Sequence, residues 1–565
     1  MTWRLNAIGI YARRLCLAVG LLLAAAGAAP TRAQDSSAAI DLTIIAINDF
    51  HGHLKPPPGG FVTADPSDRA KRIRTPAGGA ERMATLVQQL RANAKHSVFV
   101  AAGDLIGATP LLSGMFADEP TIESLSAMGL DLSAVGNHEF DKGPDELLRM
   151  QNGGCHPVKG CFGPTPFGGA KFRYLAASTT VTRTGQTLFP PYAVKEFDGV
   201  PVAFIGLTLK GTPEIISPRA SASLTFADEA DTINALVPQL RARGIEAIVV
   251  LIHEGGQPTG GYNECPGISG PIVDIVRKLD KAVDLVVSGH THRSYVCVID
   301  GRLVTSAESY GTLVTRIDVR LDRRTRDVVS AKAENLIVRT DALAPDPAQT
   351  ALIGSYEQRV KSLAGRVVGT ITASLSRALA PNGENVLGDI VADAQLAATR
   401  AAQDGGAHLA VTNPGGVRTD IVRRGDGSVT YADVFASQPF GNVLVTLTLT
   451  GAQIKTLLEQ QWLGQQKERI LHVSRNFSYG WDAARALGDR VDAAGIRLDG
   501  KAIDLAARYR VTVNNFLADG GDGFTVLREA TERRDGGTDL AALVAWFEAN
   551  SPVSPGPLDR IRRVN

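Results

Sequence analysis

The chemistry of this chain gathers where its apolar runs stop. The stretch "IIAINDFHGHL" (44–54) delivers Asn48, Asp49, His51 and His53 directly after an apolar run. "SVFVAAGD" ends on Asp104, "LSAVGNHE" on Asn137 and His138, "EAIVVLIHE" on His253, and "DLVVSGHTH" on His290 and His292. Six of the ten histidines fall at four of these five junctions. One histidine after a strand is ordinarily structural, but five junctions supplying Asp, Asn and His together read as a ligand set. Carboxylate, imidazole and amide donors without a thiolate suit borderline first-row ions such as zinc, manganese or iron. Seven donors are too many for one tetrahedral ion. They suit two ions about 3.5–4 Å apart sharing a carboxylate, which polarise a phosphoryl oxygen and generate a hydroxide nucleophile.

Something must hold those residues in one place. The runs are short, β-branched and apolar throughout, as expected of strands buried on both faces of an α/β sheet. With "VPVAFIGLT" they alternate, from residue 41 to about 340, with helix-compatible segments such as 79–94 and 227–243. In open α/β sheets the strand carboxyl ends share one edge, and ligands bind there. "LVTSAESYGTLVTRIDVRLD" reads as strand, turn and strand. Residues 341–365 read as a Pro-bearing linker and one helix, with Pro347 near its start and Gly365 just past its end. A second half follows with strands in "HLAVTNPGG", "VLVTLTLTG" and "YRVTVNNF" and helices near 385–402 and 451–461. At 565 residues, two domains or more are expected.

Composition excludes several classes. A hydrophobic content of 44%, a charged content of 21% and a net charge of +1 describe a globular protein without a nucleic-acid-binding surface or acidic tail. Residues 1–33 read as a signal peptide, with Arg4, Arg13 and Arg14 ahead of the apolar core "LCLAVGLLLAAAGAA" and Ala33 before the cut. Arg13-Arg14 also allows a twin-arginine signal, and an uncleaved anchor is the bland alternative. The mature protein is expected to be exported, periplasmic or extracellular, with no stable membrane anchor; its oligomeric state is left open. Cysteine usage agrees with export. Beyond Cys16, the chain has Cys155, Cys161, Cys265 and Cys297, which allow three pairings. The short loop "CHPVKGC" favours Cys155–Cys161, leaving Cys265–Cys297.

"NDFHGHL", "AAGDLIGATP", "GNHEFD", "HEGG" and "SGHTH" resemble, in order, the motifs of the calcineurin-like metallophosphoesterases. With the second half, the chain resembles the exported bacterial 5′-nucleotidases and UDP-sugar hydrolases. The resemblance implies an N-terminal four-layer αββα metallophosphoesterase domain (34–340), a linker and connecting helix (341–365), and a smaller α/β nucleotide-binding domain (366–565). It implies two divalent metal ions: Asp49, His51, Asp104 and His292 would hold the first, and Asp104, Asn137, His253 and His290 the second, with Asp104 bridging. His138 with Asp141 would assist the leaving group, and His53 would stand outside the ligand set. "TNPGGVRTDI", "SQPFGNVLV" and "NNFLADGGDGF" resemble the segments that hold the nucleotide. By match, Asn413 joins the substrate site, Arg418 contacts phosphate, Phe440 and Phe516 sandwich the base, and Asn442 and Asp522 bond its edge or the ribose. The implied substrate is a small nucleotide. The same resemblance leaves open 2′,3′-cyclic nucleotides, 3′-nucleotides and UDP-sugars, and a non-catalytic nucleotide-binding protein.

Two departures fall in the substrate region. Pro381 and Asn382 stand near the place of an arginine usual in that family, with Arg377 at the wrong spacing to replace it. Pro414 stands where glycine is more usual.

Overall fold

Strand β1 (Ala39–Ile47) shows how the first half is built. Its even residues Ile40, Leu42, Ile44 and Ala46 face Val202, Phe204, Val249, Leu251 and Val287 of a second sheet. Its odd residues Ile45 and Ile47 face Phe99 and, on the helix Ala80–Ala92, Met83 and Val87. A period of two with both faces apolar is what a strand between two layers requires. Each fully buried Ile, Leu, Val, Phe or Met side chain among them contributes about 1.5–3 kcal/mol. The computed structural model describes residues 39–565 apart from Pro66, Arg69, Ala70, Pro164 and Gln466, so the signal-peptide reading lies outside the described residues. No described helix is long and apolar enough to cross a membrane.

The other strands of the two main sheets of the first half are β2 (His96–Ala101), β3 (Leu132–Ala134), β4 (Arg173–Leu175), β5 (Tyr192–Phe197), β6 (Val200–Thr208), β7 (Ala247–His253), β8 (Leu285–Ser288), β9 (Ser294–Ile299), β10 (Arg302–Ala307), β11 (Leu313–Asp322) and β12 (Val328–Ile337). They form two six-stranded sheets, ordered β12-β11-β1-β2-β3-β4 and β9-β10-β8-β7-β6-β5. Strands β1 to β4 pair in parallel, as do β6, β7, β8 and β10; antiparallel strands flank both groups. Helices Glu229–Ala242 and Pro271–Lys278 cover the outer face of the second sheet through Ile233, Val237, Leu240, Ile272 and Val276. The layers therefore run helix, sheet, sheet, helix. The strand–turn–strand segment after 302 does not form a hairpin. β10 lies in the second sheet and β11 in the first, so the intervening turn passes between sheets.

The described cysteines pair as Cys155–Cys161 and Cys265–Cys297. The connecting helix Pro347–Ala364 starts on Asp346, whose carboxylate accepts the Gln349 N–H at 2.8 Å, and ends at Gly365. It belongs physically to the first half: Tyr356 donates to Glu123 at 2.9 Å, Ser124 donates to Gln349 at 2.7 Å, and Tyr356 and Val360 pack with Phe116.

The second half carries a five-stranded sheet. Its strands are β13 (Leu409–Thr412), β14 (Val443–Thr450), β15 (His472–Val473), β16 (Arg508–Asn514) and β17 (Thr531–Thr538), in the order β15-β13-β16-β14-β17. The sequence "TERRDGGT" of β17 carries no apolar period and shows why it escapes a pattern reading. It is an exposed edge strand with an irregular register, and its charges discourage pairing with another chain.

Candidate active site

The loops after β1 and β2 keep the parallel pairing of their strands. Asp49, His51 and Gly52 donate their backbone N–H groups to the carbonyls of Gly103, Asp104 and Leu105, each at 3.0 Å. This register lays Asp49 and His51 beside Asp104. Asn48 fixes the Asp49 carboxylate, donating to Oδ2 at 2.7 Å, while its own oxygen accepts the Ala307 N–H at 2.7 Å. The loop after β3 crosses closely: a Cβ on Gly136 would collide with the Asp104 carboxylate. Backbone strain marks the same loops. Asp49, His51, Asp104, His290 and His292 all have φ between 46° and 70°, the left-handed region that side chains rarely adopt.

The five junctions meet, coming from both sheets rather than from one edge of a single sheet. Asp49, His51 and His292 form one group, and Asp104, His253 and His290 a second, with the ligand atoms of each group within 4.8 Å of one another. His51 Nε2 lies 3.1 Å from His292 Nε2 and 3.5 Å from Asp104 Oδ2. His253 Nε2 lies 3.1 Å from Asp104 Oδ2, and Asn137 Oδ1 lies 3.1 Å from His253 Nε2 and 3.0 Å from His290 Nδ1. Asp104 thus touches both groups.

These separations fit cations. Donors about 2.1 Å from one ion stand about 3.0–3.4 Å from each other in octahedral or tetrahedral geometry. The ring orientations agree as well: Nδ1 of His51 faces the Gly107 carbonyl and Nδ1 of His253 the Ala102 carbonyl, both at 2.8 Å. With Nδ1 of each ring on a carbonyl, Nε2 is the atom that faces inward, the arrangement of metal-ligating histidines. The facing Nε2 atoms of His51 and His292 have room for one shared positive centre, a proton or a cation. Burial opposes ionisation of Asp104, yet His253, His138 and His51 outweigh it and hold its carboxyl well below the ordinary range. The two groups are able to hold two divalent metal ions.

His138 stands beside them. Its Nδ1 is 2.8 Å from Asp141 Oδ2, and its backbone N–H donates to Asp104 Oδ1 at 2.9 Å. Burial works against the imidazolium, but the Asp141 and Asp104 carboxylates prevail and raise its pKa above 6.5. Over it lies the second half: the Phe440 ring stacks on His138 at 5.9 Å and 16°, and the Arg418 guanidinium lies 5.7 Å from the Phe440 centroid.

The other substrate candidates spread along the second half. Among the described residues Phe516 is in no ring–ring contact; it packs against Gly521. Asn413 donates to Asp522 Oδ2 at 2.7 Å. The Asn442 side chain bonds Asp539. Asn382 donates to the Ile561 carbonyl at 2.8 Å and serves the C-terminal segment. Arg377 donates its backbone N–H to Asp420 at 2.8 Å, next to the Arg418 loop, with its side chain exposed.

Three residues escape a sequence reading. Glu139 is buried and accepts the N–H groups of Asp104, Leu105 and Gly136 at 2.7–2.9 Å, fixing the two loops that carry Asp104 and Asn137. Its place inside "GNHEFD" was the available signal. Tyr310, in the turn between sheets, has its ring centroid 4.1 Å from that of His53, tilted by 35°, and stands edge-on to His51 and His292. Arg469 pairs with Asp522. Neither Tyr310 nor Arg469 has a local signal.

The family model for calcineurin-like phosphoesterases matches residues 42–294, and that for the 5′-nucleotidase C-terminal domain matches 367–529. The chain is 32% identical over 479 residues to endonuclease YhcR of Bacillus subtilis and 31% identical over 534 residues to cell wall protein Lmo0130 of Listeria monocytogenes. These alignments cover 85% and 88% of the chain but only 37% and 66% of those relatives. Among solved structures, a 5′-nucleotidase precursor from Thermus thermophilus superposes with a TM-score of 0.75 at 30% identity, covering 93% of this chain and 99% of that one.

Proposed function

Because this chain belongs to the metal-dependent calcineurin-like phosphoesterases with a 5′-nucleotidase C-terminal domain, we propose that it is an exported phosphohydrolase that removes phosphate from nucleotides. One observation carries the reading: the two donor groups meet at Asp104, and His138 beside them stacks on Phe440 of the second domain, with the Arg418 guanidinium next to that ring. Asp49, His51, Asp104 and His292 would hold one ion, and Asp104, Asn137, His253 and His290 the other. When bound, such ions polarise a phosphoryl oxygen and supply a nucleophile from water at neutral pH.

The chain's own residues do the rest. Asp141 holds His138 through Nδ1, so Nε2 is the position from which a proton passes to the departing oxygen. Arg418 offers a fixed positive charge to the phosphate, and Phe440 closes over His138 and excludes water. Phe440 and Phe516 supply stacking faces, and Asn413, Asn442 and Asp522 supply polar contacts to the nucleoside. We place the first domain at 34–340, the connecting segment at 341–365 and the second domain at 366–565, in keeping with the matched ranges and the helix Pro347–Ala364. Two disulfides and the residue pattern of 1–33 support export.

The similarity to a relative named as an endonuclease favours one second reading, cleavage of a phosphodiester. A single panel separates the two: phosphate release from AMP, UDP-glucose and the cyclic AMP isomers, with and without chelator. Chelator-sensitive release from AMP is expected. Activity on the cyclic isomers alone would replace the proposal with the second reading, and chelator-resistant activity would remove the metal assignment.

A further inference from the structure

Asp522 is buried, with φ 56°, and both of its carboxylate oxygens are committed inside the protein. Oδ2 accepts from Asn413 at 2.7 Å, Oδ1 is ion-paired to Arg469, and Gln465 donates to its backbone carbonyl at 2.7 Å. Arg469 is in the opposite situation. Its guanidinium has five N–H donors, Asp522 is its side chain's one described partner, and 34% of the side chain is exposed. The pair sits at the cleft. Gly521–Gly523 packs on the helix Thr212–Ile215, which follows β6, the strand paired with β7 that ends at His253. Phe516 lies against Gly521 in the same segment. The cleft thus has two arginines at two places, Arg418 over Phe440 near His138 and Arg469 on Asp522.

We infer that Arg469 selects nucleotides bearing a second phosphoryl group on the ribose 2′ or 3′ oxygen. This rests on the nucleotide reading, in which Asp522 faces the ribose or the base edge. A plain ribose diol offers the Arg469 guanidinium only neutral hydroxyl oxygens as acceptors. A phosphoryl group brings acceptors and negative charge, which match the planar fork of an arginine. Arg418 is placed for the reacting phosphate, so Arg469 is left for the additional one.

The test compares kcat/KM for adenosine 5′-monophosphate and adenosine 3′,5′-bisphosphate, with 5′-phosphate release followed by chromatography. Wild type, Arg469→Gln and Arg469→Lys are used, with a small chromogenic phosphoester as control. Wild type is expected to prefer the bisphosphate by about tenfold or more, as one charge-assisted contact allows. Arg469→Gln should lose that preference through KM with kcat unchanged, Arg469→Lys should keep part of it, and the chromogenic ester should be unaffected. A wild-type preference for the monophosphate, or a ratio unchanged in Arg469→Gln, overturns this inference alone. The wild-type ratio decides even where a variant folds poorly. Hydrolysis of the chromogenic ester with neither nucleotide cleaved overturns the nucleotide reading as well.

Discussion

The two walls of the cleft are held in different ways. On the first domain Asp49, His51 and His253 are fully buried, and each donor is fixed by a further contact to a backbone group or an amide. On the second domain Arg418, Phe440, Asn442 and Phe516 are half-buried, the first three on loops and Phe516 in the short helix Asn515–Ala518. The difference teaches where change is tolerated. A donor group for a cation fails when one atom moves, whereas a stacking ring or a guanidinium still works from a neighbouring position. The departures at Pro381 and Pro414 both fall in the second domain.

The comparison breaks most visibly if a first-wall residue proves dispensable. Asp104→Ala should give the largest loss on every phosphoester, with loss of bound metal by elemental analysis, because that carboxylate reaches His51 and His253 at once. His138→Ala should follow, lowering kcat by about 10²–10⁴-fold with metal content retained. Unchanged turnover in His138→Ala would take it out of the reaction.

The second wall should respond by substrate rather than uniformly. Each base–aromatic stack contributes about 1–3 kcal/mol. Phe516→Ala should therefore raise KM for AMP roughly tenfold and leave a small chromogenic phosphoester nearly unchanged. Phe440→Ala should raise KM for AMP similarly and also alter the chromogenic ester, since its ring covers His138. Equal effects of Phe516→Ala on both substrates would show a core residue instead.

The smallest effect should come from Arg219→Ala. This ion pair to Asp519 spans the two domains at 3.4 Å, with the arginine side chain 76% exposed. Such pairs contribute less than about 1 kcal/mol, so KM should shift less than about fivefold and Tm hardly at all. A rise beyond tenfold would mean that this contact governs how the walls approach.

The first wall was readable in the sequence because its signals are local. An apolar run ending in Asp or His states both the strand and the donor, and repetition at five junctions removes the ambiguity of each. What the runs could not state is that they belong to two sheets, or that β10 and β11 part company at Tyr310. The second wall was less readable because its roles depend on distance. "SQPFGNVLV" marks Phe440 as a stacking candidate but says nothing of His138, some 300 residues earlier, against which the ring lies. Arg469 pairs with Asp522 across 53 residues, and β17 has no hydrophobic period because it is an edge.

The left-handed backbone at Asp49, His51, Asp104, His290 and His292 has a consequence for anyone engineering this protein. Glycine is the residue such torsions favour, and an L side chain held there costs of order 1–3 kcal/mol. A screen that rewards thermostability alone will be drawn toward these five positions, and its winners there will be inert. Heat tolerance is better sought in the exposed loops, away from the strand ends, where no donor depends on the twist of the chain.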